Sequence, residues 1–141
     1  MSKFRGSAII LLILFLSSMN VYAEGNKNIE IFDITQEKVV KVVQPNQQVE
    51  KLVLDYLHQI DGFVAKCDPI PNKGYAIRVP LESSVKIQNR WINGTVDEVI
   101  IIIEGETLEP FLVVFENGQR FLCLHFKGNL NKLSKVLGFK L

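Results

Sequence analysis

Residues 99–103, Val-Ile-Ile-Ile-Ile, form an apolar run that loads both faces of any extended strand. Such a strand belongs in the middle of a sheet covered on both sides, because an exposed edge of this composition invites aggregation. The run follows an Asn-Gly pair at 93–94, and a second pair stands at 117–118 between two further apolar runs. Asn-Gly is the strongest short hairpin signal, since both central residues of a type I′ turn need positive φ. A two-residue loop at the first pair sets Ile92 opposite Thr95, Trp91 opposite Val96 and Arg90 opposite Asp97, an arrangement with complementary partners in register. The same loop at the second pair sets Phe115 opposite Arg120, Val114 opposite Phe121, Val113 opposite Leu122 and Leu112 opposite Cys123.

Between residues 46 and 61 the period changes. Asn46 is a good N-cap, Glu50 suits the positive helix start, and Val49, Leu52, Val53, Tyr56, Leu57 and Ile60 line one helical face. Lys51, Asp55 and Gln59 point outward as ordinary solvated positions, and His58 lies beside the stripe. A shorter helix follows Asn129, with Leu130, Leu133, Val136 and Leu137 on one side and Gly138 as its stop. Residues 29–34 and 38–43 read as strands, although the second also suits a short helix. Residues 63–67 and 75–79 read as strands, the latter ending at Pro80. Without repeats or a linker, these elements predict one α+β domain over 24–141. Its antiparallel sheet has about five to seven strands, and the 46–61 helix and the short C-terminal helix cover it.

The first 23 residues predict an export signal. Lys3 and Arg5 precede an apolar run at 8–16, and Val21-Tyr22-Ala23 offers small residues just before Glu24. That run has nine residues, whereas a membrane-crossing helix wants about 20. No cysteine ends the leader to accept a lipid. Cleavage removes two of the 16 basic residues and none of the 15 acidic ones, so the mature chain carries a net charge of −1. Nucleic-acid binding is thereby disfavoured, since its affinity is built from clustered cations on phosphates.

The segments Lys41-Val-Val-Gln-Pro-Asn, Asp61-Gly-Phe-Val-Ala-Lys, Pro69-Ile-Pro-Asn-Lys-Gly-Tyr-Ala-Ile-Arg-Val-Pro-Leu and Val96-Asp-Glu-Val-Ile-Ile-Ile-Ile resemble the small exported proteins of unknown function from endospore-forming Gram-positive bacteria. The resemblance spans most of residues 38–126. It carries over no catalytic residue and implies a bacterial cell-envelope or sporulation setting. There Asn93-Gly94-Thr95, formally a glycosylation site, reads as a hairpin turn.

Few residues are equipped for chemistry. Cys67, Cys123, His58 and His125 lack the paired spacing of a zinc site, and no calcium loop or cofactor motif occurs. Cys123 and His125 share a strand face, but their Cβ atoms would stand roughly 7 Å apart, and their apolar neighbours favour a buried thiol acting as a small hydrophobe. An oxidising compartment also permits a disulfide between Cys67 and Cys123. Asp97, Glu98, Glu104, Glu106 and Glu109 would serve a glycosidase only as two carboxylates facing across a cleft. Lys127, Lys132, Lys135 and Lys140 follow the last acidic residue, Glu116. They suit contact with an anionic membrane or wall polymer, or simply the dipole of a helix docked by its leucines. The leading expectation is a non-enzymatic interaction or assembly module with an envelope or spore protein, or wall polymer, as partner. Two alternatives are a secreted ligand-binding or inhibitory module with a pocket between helix and sheet, and a hydrolase using Cys123 and His125 or a carboxylate pair.

Overall fold

The computed structural model describes residues 27–64, 71–105 and 109–141. The elements run β1 (Ile29–Asp33), β2 (Lys38–Val43), α1 (Gln47–His58), β3 (Ile60–Phe63), β4 (Tyr75–Gln88), β5 (Asn93–Ile103), β6 (Phe111–Glu116), β7 (Arg120–Phe126) and α2 (Leu130–Leu137). The seven strands form one sheet in the order β2-β1-β4-β5-β6-β7-β3, antiparallel at every step. This is the expected α+β architecture. The doubly apolar run 99–103 lies in β5, the central strand, where both of its faces are buried.

Alternation divides the sheet into two faces. Ile31, Ile77, Val79, Val99, Ile101, Leu112, Val114 and Leu124 join Val49, Val53 and Leu57 of α1 and Leu133 and Leu137 of α2 in the main core. Ala76, Ile100, Ile102, Phe111, Val113 and Cys123 form a second cluster on the opposite face. Both helices begin as their caps dictate. Asn46 Oδ1 accepts from the N–H groups of Gln48 (2.7 Å) and Val49 (3.3 Å), and Asn129 Oδ1 accepts from Asn131 (2.7 Å). Gly138 closes α2 in the left-handed region at φ 62°, and its carbonyl accepts from Lys41 Nζ of β2 at 2.9 Å. The Tyr56 hydroxyl donates to the Asn129 carbonyl at 2.9 Å, joining α1 to the start of α2.

Residues 38–43 form the strand expected there. Local signals and structure part company at four places. The strand expected at 63–67 instead begins at Ile60, because α1 stops at His58 and Ile60 pairs with Phe126 at the sheet edge. Residues 65–67 of that expectation lie outside the described residues. Pro80 does not end β4. It pairs with Glu98 where the ladder breaks, and a bulge before Val85 absorbs the following residues. At a bulge a missing N–H costs little, and the Glu82 N–H there donates instead to the Glu50 carboxylate of α1 at 2.9 Å.

The hairpins carry the other two corrections. The first turn is not at Asn93-Gly94, which lie within β5 opposite Gln88 and Ile87. The chain reverses over 89–92, where Asn89 Oδ1 accepts from the N–H groups of Trp91 (2.7 Å) and Ile92 (2.8 Å). An Asn side chain that mimics a backbone turn competes directly with an Asn-Gly turn, and this register buries Ile87, Ile92 and Val96 together. The pairs Ile92–Thr95, Trp91–Val96 and Arg90–Asp97 therefore do not form. The second turn does form at Asn117 (φ 54°) and Gly118 (φ 70°), but Gln119 is an extra loop residue. The ladder resumes at Glu116↔Arg120, with Phe115↔Phe121, Val114↔Leu122 and Val113↔Cys123, one residue away from the expected register. That offset sends Leu122, Leu124 and Phe126 to the helix-covered face.

Candidate functional site

The second face of the sheet carries Cys123, His125 and Glu98 of the side chains singled out for chemistry. Cys123 sits among its apolar residues at 4 % exposure and is disulfide-bonded. Cys67, the chain's other cysteine, lies outside the described residues. The reading of Cys123 as a free buried thiol is thus replaced by a cystine. A sulfur held in a disulfide has no thiolate with which to attack a substrate. His125, two residues along the same strand face, instead faces Glu109, with Nδ1 at 3.4 Å from Oε2. His58 is on α1, where its Nδ1 lies 2.7 Å from the Leu54 carbonyl.

Asp97 and Glu98 stand in β5, away from Glu109. Glu98 receives the Arg78 Nε–H, with both carboxylate oxygens at 3.1 Å. Asp97 accepts from the Ser84 hydroxyl. Glu109 is with His125 at the other end of β5, and the rise of four steps from Glu98 to Ile102 alone spans roughly 13 Å. That exceeds the separation across which two glycosidase carboxylates cooperate, about 5–9.5 Å. Glu106 lies outside the described residues. Among the described residues no group of three or more His, Cys, Asp or Glu is placed to hold a metal ion.

Two residues without a sequence signal join Glu98. Arg78 is 9 % exposed and pairs across the ladder with Glu30. Burial pushes the Glu30 carboxyl above its usual range, Arg78 pulls it back and Glu98 pushes it further up. Among the described residues, Nη1 of Arg78 is buried without a hydrogen-bond partner. Glu30, Arg78 and Glu98 come from three different strands, so their meeting depends on the order β1-β4-β5 and no local pattern announces it.

The basic C-terminal residues do not form one patch. Lys132 and Lys135 line a groove of about 480 Å³ between α1 and α2, together with Lys51, Gln48, Asp55, Leu52 and Val136. Lys140 lines a different cavity, beside Gly74 and Pro110, while the Lys127 N–H donates to the Gln59 carbonyl at 3.1 Å. Lys51 completes the groove although its position on α1 reads as ordinary solvated surface. The interior between helices and sheet is filled by Val49, Val53, Leu57 and Leu133, all at 0 % exposure, and the expected pocket between helix and sheet lies at the start of α1, a concavity of about 400 Å³ lined by Asn46, Gln47 and Glu50 with Ile29, Val79 and Glu82 of the sheet. No described helix is long and apolar enough to cross a membrane.

Comparison with protein-family models, curated proteins and solved structures found no match.

Proposed function

We propose that this protein is an exported, non-enzymatic interaction or assembly module of the bacterial envelope or spore. The observation that carries the reading is the cystine at Cys123. It commits the strongest nucleophile candidate to structure, and disulfides persist in oxidising compartments outside the cytoplasm. The leader at 1–23 agrees with that address. Of the remaining candidates, His125 and Glu98 are engaged by Glu109 and Arg78 respectively. Chemistry at either is thereby disfavoured relative to a structural role.

The experiment replaces His125 by Ala and Glu98 by Gln in the host organism. Both variants, checked for folding by circular dichroism and a thermal melt, should leave the phenotype of gene deletion absent. A folded variant that reproduces the deletion phenotype would overturn the non-enzymatic reading.

A further inference from the structure

Resting on the export reading above, we propose that the α-amino group created at Glu24 by leader cleavage docks in the concavity at the start of α1, against the carboxylates of Glu50 and Glu82. Hydrolysis of the Ala23–Glu24 bond leaves a carboxylate on the departing leader and an ammonium on Glu24. Before the cut that nitrogen is an uncharged amide. Processing therefore adds a cation to the domain at one defined point of the chain.

The tether decides the occupant. Residues 24–26 lie outside the described residues, and Lys27, the first described residue, itself lines the concavity. Its Nζ donates to the Leu81 carbonyl at 3.1 Å, beside Glu82. Three residue steps from Lys27 back to Glu24 reach at most roughly 10 Å, so the new terminus stays within range of a concavity of about 400 Å³. A flexible tether this short holds its end at an effective concentration on the order of millimolar.

The lining supplies the complementary charge. Glu50 comes from α1 and Glu82 from β4, and Lys27 is the one cation with them, so two carboxylates against one ammonium leave the concavity at −1. Glu50 Oε1 accepts from the Glu82 N–H at 2.9 Å, a bond that uses neither Glu50 Oε2 nor the Glu82 carboxylate. Among the described residues neither glutamate forms an ion pair. Buried Ile29 and Val79 line the same concavity, and a partly buried pair is screened less than an exposed one. Carboxylates facing the ammonium raise its pKa above the ordinary range of about 7.7–8.0. The resulting stabilisation is fully present below that range and is lost as pH rises through the raised value.

Two purified chains test the proposal, one beginning at Glu24 and one at Val21. Both contain every described residue and carry the same net charge, because residues 21–23 are uncharged. At pH 7 the Glu24 chain should melt about 1–4 °C higher, and the gap should close by about pH 10. Nuclear magnetic resonance should find the Glu24 α-amino pKa raised in the parent and ordinary in Glu50→Gln/Glu82→Gln. That variant keeps an oxygen for the Glu82 N–H, and in it the two chain starts should melt together. Glu104→Gln and Glu24→Gln should each preserve the gap. Equal midpoints in the parent, or a gap that survives Glu50→Gln/Glu82→Gln, would overturn the proposal. A gap that grows with protein concentration would overturn it in favour of a terminus supplied by a second copy. The chain starts are set in advance, so these outcomes are distinct from where the host cleaves its protein.

Discussion

Gly94→Ala should destabilise this protein by about 2–3 kcal/mol through close approach, not through backbone strain. Gly94 is buried in β5, and a Cβ there would lie 2.6 Å from Asn117 Oδ1, and 2.8 Å from both Asn117 Nδ2 and Glu116 Cγ. Those atoms are occupied. Asn117 Oδ1 accepts from the Thr95 N–H at 2.8 Å, and Glu116 Oε2 accepts from the Asn93 N–H at 2.9 Å. Displacing both carries about 1 kcal/mol per hydrogen bond, with a further overpacking cost of about 1 kcal/mol. The comparison is Gly118→Ala, whose Cβ meets nothing within 4 Å but whose φ is +70°. It should cost about 1–2 kcal/mol from conformation alone. Urea unfolding gives both values, and Asn117→Gly supplies a double-mutant cycle that retains freedom at positive φ. In the Asn117→Gly background, Gly94→Ala should lose at least about 1 kcal/mol of its effect. An unchanged cost there, or a Gly94→Ala cost below about 0.5 kcal/mol, would refute the close-approach account.

Two further perturbations are decided by the described geometry. Burial, and then Asp55, pushes the Tyr56 hydroxyl to about 12. The unfolded chain releases that proton near pH 10, so stability is intact below pH 10 and falls by up to about 2 kcal/mol as pH approaches 12. Tyr56→Phe should flatten that decline in chemical-denaturation midpoints across the same range, while costing about 1 kcal/mol at neutral pH for the lost bond to Asn129; an undiminished decline would contradict the assignment. If Cys67 is the partner of Cys123, the closed loop accounts for about 4 kcal/mol, so reduction should lower the thermal midpoint clearly. A midpoint indifferent to reductant would contradict that stabilisation.

What could be read without the fold was whatever rests on neighbours in sequence. The stripe from Val49 to Leu57, its Asn46 cap and the Gly138 stop are local, and they locate both helices. The run 99–103 declares its own central position because no edge tolerates it. The Asn93-Gly94 pair misleads for the same reason that it attracts notice. Its local preference is real, but the Asn89 turn and the contact with Asn117 decide the register, and the latter is non-local. Pro80 is tolerated only because a bulge opens beside it. Likewise Arg78 and Glu30 meet across a strand pair, and Lys51 meets Lys132 across a helix pair. Neither juxtaposition leaves a trace in spacing.

Mass spectrometry of the protein isolated from its host, denatured and alkylated without reduction, tests the central claim most directly. The account predicts a chain beginning at Glu24, no alkylated cysteine, and a single cross-linked peptide joining Cys67 to Cys123. An intact chain beginning at Met1 with two alkylated cysteines would contradict both the extracytoplasmic address and the structural role of Cys123.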